Sequence, residues 1–236
     1  MPRCPACGNE WTGSAPQCPA SGQPTDSPAP RLEPSSARAP HPLPLRNYFT
    51  AGWDLFKQYH TGFVGFCLLN LVIQLALNAI PHAGVVVSLL ISTPLLMGNF
   101  IVSAKLLQGQ TPRFRDFFAG LQFFVPLLLL SLIAGLFIGI GMVLLIIPGV
   151  YLGVAYLFAA NLMVDRRLDF WPAMELSRQT VTPRWFHYFA LTQLLALLNL
   201  AGALVLGLGL LVTIPVSFCA ITVAYADLFG LQSKEY

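Results

Sequence analysis

Charge in this chain is confined to every second interruption of a long apolar tract. Between about residues 61 and 230, the breaks at 105–116 and 165–184 carry Asp, Glu, Lys or Arg. The breaks at Pro81-His82-Ala83-Gly84, around Gly139 and Gly141, and at Leu200-Ala201-Gly202 carry none of these. The alternation allows all thirteen basic and ten acidic side chains to be placed on one side of a membrane. Basic inner loops and short neutral outer turns are the mark of a polytopic membrane protein.

Composition agrees. Hydrophobic residues make up 56% of the chain, charged residues 10%, and mean hydropathy is +0.67. A soluble domain carries about a quarter charged residues, so this chain lacks the polar side chains to cover a water-facing surface and its solvent is lipid. The basic residues fall into Arg3, Arg31, Arg38, Arg46 and Lys57; then Lys105, Arg113 and Arg115; then Arg166, Arg167, Arg178 and Arg184; and finally Lys234. They mark the cytoplasmic side of the membrane and make no basic, aromatic-studded surface for nucleic acid. The first forty-five residues hold no apolar core of a cleavable signal, so none is expected there.

Three regions follow. Residues 1–22 form a small Cys-bearing module. Residues 23–45, rich in Pro, Ser and Ala, bury too little apolar surface to offset ordering entropy and read as a disordered linker. Residues 46–236 form the membrane domain. A crossing needs about 20 residues; stretches 61–80, 84–107, 121–138, 141–164, 185–201 and 203–229 meet this, giving an all-α protein of six spans with both termini cytoplasmic. An alternative break at Pro148-Gly149 or at Pro215 would shift the later boundaries. The spans pair into three hairpins, each preceded by an amphipathic interfacial segment: Phe49, Trp53, Phe56 and His60; then Phe114, Phe117, Phe118 and Leu121; then Trp171, Met174, Arg178 and Val181. Thr111-Pro112 predicts the N-cap and first-turn proline of the second segment. Each outgoing span carries a proline, at Pro94, Pro148 or Pro215, which suggests one unit repeated three times without a fixed period.

The soluble motif is Cys4-Pro5-Ala6-Cys7-Gly8, followed by Cys18-Pro19-Ala20-Ser21-Gly22. Two thiolates spaced by two residues around a tight turn suit one edge of a tetrahedral Zn²⁺ site. Cys4, Cys7 and Cys18 are the candidate metal ligands, but Ser21 stands where the fourth thiolate belongs. Two readings stay open: a three-thiolate zinc site completed by water or by a side chain such as Glu10, and a metal-free remnant. A cytosolic location disfavours a disulfide. The segment resembles the zinc-ribbon modules at the N-termini of many bacterial membrane proteins.

Within the spans no ionisable side chain sits near mid-bilayer, where a charge costs at least about 2.5–3.5 kcal/mol and marks ion or proton pathways. Asp227 and Lys105 lie at cytoplasmic ends, while His60 and His187 beside Tyr59, Trp185 and Tyr188 read as interfacial anchors. Cys67 and Cys219 read as small apolar residues. The polarity within the spans is neutral. Asn70, Gln74 and Asn78 fall on one helical stripe; Asn99 with Ser103 and Asn161 with Asp165 repeat the spacing, and Gln193 and Asn199 follow. Amides in lipid need partners, so cross-helix bonding is the expected role; the sharper one is a polar seam of Asn70, Gln74 and Asn78 for a small solute or lipid headgroup. Gly135 and Gly139, in small-xxx-small spacing, are expected to let a neighbouring helix approach closely.

The run Ile147-Pro148-Gly149-Val150-Tyr151, the stretch from Phe158 to Asp165, Pro172-Ala173-Met174-Glu175-Leu176-Ser177 and Asp116-Phe117-Phe118-Ala119-Gly120 together resemble an uncharacterised group of bacterial six-helix integral membrane proteins. Related domains form the membrane portion of some glycerophosphodiester phosphodiesterases. The resemblance implies a fold and a location. The phosphodiesterase activity of those relatives resides in a separate soluble domain, and nothing in this chain supplies it.

The leading expectation is therefore a non-enzymatic inner-membrane scaffold or interaction module, with a cytoplasmic zinc-ribbon-like segment and a membrane or cytoplasmic protein partner. The alternative is passive transport or lipid handling through the seam. A membrane enzyme has the least support.

Overall fold

In a computed structural model, which describes residues 43–79, 83–204 and 207–232, the chain is helical, with no strand among the described residues. The zinc-ribbon-like module with Cys4, Cys7, Cys18 and Ser21, nearly all of the linker, and Pro81-His82 lie outside the described residues. The helices are α1 (Leu45–Gln58), α2 (His60–Asn78), α3 (Ala83–Leu107), a 3₁₀ helix (Phe114–Phe123), α4 (Phe124–Leu144), α5 (Ile146–Ala155), α6 (Ala159–Arg166), α7 (Phe170–Val181), α8 (Trp185–Leu204) and α9 (Leu210–Phe229).

Among the described residues, five stretches are long and apolar enough to cross a membrane: His60–Leu77, Phe114–Leu144, Ile146–Arg166, Phe170–Leu204 and Leu210–Phe229. The remaining expected span, 84–107, coincides with α3, whose described apolar portion, Ile91–Leu107, is shorter. The outward surface suits lipid. Along α4 the side chains of Val125, Leu129, Leu132, Leu136, Ile140 and Val143 are exposed at helical spacing, Val143 by 88%. An apolar stripe of that length is unstable against water and natural against acyl chains.

The amphipathic segments differ from expectation. α1 buries Tyr48, Gly52, Leu55 and Phe56 and leaves Trp53 exposed, so its inner face is offset from the Phe49–Trp53–Phe56–His60 pattern. It packs directly on α9: a Cβ at Gly52 would lie 2.8 Å from the Ala220 backbone nitrogen. The second segment is not an interfacial α-helix. It is the 3₁₀ helix, pressed lengthwise onto α3 where Gly98 meets the Phe117 carbonyl and Gly120 meets the Pro94 carbonyl. Phe117 is fully buried, stacked on Phe66 at 4.5 Å. Its N-cap is Arg113 rather than Thr111; the Asp116 carboxylate accepts the Arg113 backbone N–H at 2.8 Å. α7 does form on the third segment, burying Ala173, Met174, Ser177 and Val181 with Trp171 exposed.

The neutral turns also fall elsewhere. α4 runs through Gly139 and Gly141 and stops at Leu144, and one extended residue, Leu145, reverses the chain into α5. Such a short reversal needs the backbones to touch, and a Cβ on Gly141 would sit 2.9 Å from the Gly149 Cα. The last hairpin repeats the device: α8 continues past Gly202 to Leu204, and a Cβ on Gly209 would sit 2.6 Å from the Gly202 carbonyl. The breaks weighed at Pro148-Gly149 and Pro215 do not occur; Pro148 lies in the first turn of α5 and Pro215 inside α9. Gly135 and Gly139 are not packing glycines among the described residues: both are exposed, and a Cβ on either would meet nothing within 4 Å.

Candidate functional site

The Asn70 and Gln74 side chains come together, as their spacing predicts, in a cavity bounded by α2, α3 and the start of α9. Its volume is about 240 Å³, and Cys67, Leu71, Ser92, Leu96, Gly207, Leu210, Leu211 and Ile214 complete the lining. One water needs about 10–15 Å³ and small-molecule sites start at about 300 Å³, so the space suits a compact headgroup with part of a chain. Gln74 accepts a hydrogen bond at Oε1 from Ser88 of α3, which fixes that amide. The Asn70 Oδ1 is buried without a hydrogen-bond partner. Asn78, the third member of the predicted seam, is the last residue of α2. Sequence reasoning missed Ser88 and Ser92; their spacing of four residues on α3, matching that of Asn70 and Gln74, is the signal that pairs the two helices.

A second cavity of about 280 Å³ lies between α8 and α9, lined by Thr192, Leu195, Asn199, Ile214, Ser217, Phe218 and Ile221. Asn199 Nδ2 donates to the Leu195 carbonyl and to Ser217 Oγ, both at 2.9 Å, while its Oδ1 is buried and unpartnered. The expected cross-helix role therefore holds for Asn199, and Ser131 to Thr93 at 3.0 Å is a further case. It fails for Gln193, which is exposed, and for Asn99, 1% exposed with neither amide atom bonded. Ser103 bonds back to the Asn99 carbonyl and lies 3.3 Å from Cys219.

The ionisable groups tie helix ends together. Asp165, 3% exposed at the end of α6, accepts from Tyr225 Oη at 2.8 Å and from the Gln232 backbone N–H at 3.2 Å. Arg166 donates to the Phe229 carbonyl at 2.8 Å, and Lys105 pairs with Asp116 at 3.1 Å. Asp227 accepts from Tyr48 Oη at 2.8 Å and from the Leu43 N–H at 3.2 Å, while the His187 ring meets Tyr48 edge-on at 5.9 Å. Tyr48, His187 and Asp227 thus share a neighbourhood that no sequence spacing announces. Among the described residues no three His, Cys, Asp or Glu side chains group to hold a metal.

Burial and the bond to Asp227 raise the Tyr48 hydroxyl well above the ordinary tyrosine pKa of about 10. Above that pH the unfolded chain loses a proton that the folded chain keeps, so stability falls as pH rises, by at most about 1.4 kcal/mol per unit. Tyr48→Phe is expected to cost about 1.5–3 kcal/mol at neutral pH, the worth of a hydrogen bond to a charged group. It should also remove this part of the alkaline loss; thermal melts in detergent from neutral pH to above pH 10 measure both.

No known protein family, curated protein or solved structure matches the chain.

Proposed function

We propose that this is a non-enzymatic multi-pass inner-membrane protein, with cytoplasmic termini, that binds an amphiphile in the seam between α2, α3 and α9. The observation that carries the reading is a largely apolar cavity of about 240 Å³ that sets the amide-bearing residues Asn70 and Gln74 among Leu71, Leu96, Leu210 and Ile214. Amides in an apolar setting need partners, and an amphiphile whose polar end reaches them supplies one. Lipid handling or passive transport of a small solute follows from such a site.

A scaffold built on the charged face finds less support. Asp165, Asp227, Lys105 and Asp116 there are already engaged with neighbouring helices, and the more exposed Asp54 with Lys57 and Glu175 with Arg178 pair within their own helices. What favours it is the exposure of Trp53 and Trp171 on α1 and α7, and a Trp on an amphipathic helix serves equally as a membrane-interface anchor.

The test is lipid analysis of the protein purified in mild detergent. The wild type should retain a stoichiometric amphiphile, and the triple replacement Asn70→Leu, Gln74→Leu, Asn78→Leu should lose it while still eluting as a folded species. Equal lipid content in the two proteins overturns the proposal.

A further inference from the structure

We propose a second lipid site, outside the seam: the cavity where the end of α3 meets the 3₁₀ helix takes the phosphate of an anionic phospholipid. This site is independent of the amphiphile-binding seam and shares no residue with it.

The cavity has a volume of about 450 Å³ and is lined by Lys105, Arg115, Asp116, Phe118, Ala119 and Gln122. That volume falls in the range of roughly 300–1,000 Å³ typical of small-molecule sites. Its charge is unbalanced. Lys105 and Asp116 offset one another at 3.1 Å, each largely shielded from solvent. Arg115 is exposed and makes no ion pair among the described residues, so it leaves the lining with one positive charge in surplus. A guanidinium presents a planar fork that two phosphate oxygens match, and an amide such as that of Gln122 can donate as well. An anionic headgroup neutralises the surplus; a zwitterionic one brings its own ammonium against it.

The continuation of the wall makes the ligand a lipid rather than a free phosphate. The ring of Phe118 lies 6.1 Å from that of Phe114, which is exposed, as is Leu121. Val125 stands one turn beyond the lining residue Gln122 and so shares its face. There the lipid-facing stripe of α4 opens and runs on through Leu129, Leu132 and Leu136. A phospholipid with an acyl chain along the start of that stripe has its headgroup level with residues 115–122, at the charged end of the span Phe114–Leu144. Basic pockets between membrane helices at that depth hold anionic headgroups.

The experiment places the full chain in phosphatidylcholine nanodiscs that contain a phospholipid probe with a diazirine near the headgroup end of one chain. The probe is a phosphatidylglycerol or a phosphatidylcholine at equal mole fraction, and labelled peptides are mapped by mass spectrometry. The phosphatidylglycerol probe should label Phe114–Phe123 about fivefold more than the phosphatidylcholine probe, the worth of one basic side chain at an anionic headgroup. Arg115→Gln should remove most of that preference, and Arg115→Lys, which keeps the charge, should retain it. Arg113→Gln, equally exposed but outside the lining, should lower it far less. Equal labelling by the two probes in the wild-type protein overturns the inference without relying on any variant's folding. A preference unchanged in Arg115→Gln, or lost equally in Arg113→Gln, overturns the assignment to this cavity. Soluble glycerophosphoglycerol at millimolar concentration should leave the labelling unchanged, and displacement by it overturns the choice of a lipid over a free phosphoester. None of these variants touches Asn70 or Gln74, so the seam stands or falls on its own test.

Discussion

Gly98→Val should be the most disruptive single substitution in the membrane domain, costing about 3 kcal/mol or more. Overpacking costs about 1–3 kcal/mol where side chains can shift aside. Here the obstruction is the backbone carbonyl of Phe117 in the 3₁₀ helix, so the whole segment Phe114–Phe123 must lift from α3. That movement would also unseat Phe117 from its stack on Phe66 and strain the Lys105–Asp116 pair. Even Gly98→Ala should destabilise, because the first added carbon already collides. The informative control is Gly135→Val: a Cβ there meets nothing within 4 Å, and the change should stay within about 0.5 kcal/mol, as for a surface site. Melting curves for the three variants in one detergent decide the matter. An equal loss at Gly98 and Gly135 would contradict the packing described here.

The second large effect is expected at Asp165. Asp165→Leu removes the acceptor of the Tyr225 hydroxyl inside the bundle and of the Gln232 N–H at its exposed end. At about 1–3 kcal/mol for a buried donor that loses its acceptor, and less for the exposed N–H, the loss should be about 1.5–3 kcal/mol. Tyr225→Phe, which removes one donor and keeps the carboxylate, should cost about 1.5–3 kcal/mol. The double variant should be less destabilised than the sum of the two, since both remove the same bond. Proteolysis adds a local readout: residues following Gly230 should become cleavable in Asp165→Leu at temperatures where the wild type resists. Additive losses, with no change in cleavage, would mean that the Asp165–Tyr225 contact does not hold the end of α9.

These two sites also mark the limit of what the residues alone disclose. Lipid solvent, helical class and the approximate spans are legible because they depend on composition and length. The rotation of each helix is not. A span that is apolar on every side has no polar phase to show which stripe meets protein, so the small residues at Gly135 and Gly139 read the same whether they face a neighbour or acyl chains. The 3₁₀ segment Phe114–Phe123 lies against Gly98 and Pro94 of α3, contacts that no local pattern announces. Within the candidate site, Asn70 and Gln74 are visible because amides stand out in an apolar helix and one turn aligns them. Ser88 and Ser92 are ordinary residues in a membrane helix until α3 is laid against α2. The Tyr48–Asp227 bond joins residues 179 positions apart, beyond the reach of any periodicity.

That last separation bears on how the molecule is made. α1 is made before α9, the helix it packs on. At roughly 5–20 residues per second, Tyr48 and Leu43 wait on the order of 10–40 s for Asp227 to be synthesised. Throughout that interval the part of α1 that meets α9 lacks its partner, although Phe56 already has Phe63 of α2 beside it. Closure of α1 onto α9 thus waits on synthesis of the other described helices. A chain stalled before α9 leaves Tyr48 and Gly52 without the Asp227 and Ala220 they meet in the finished bundle.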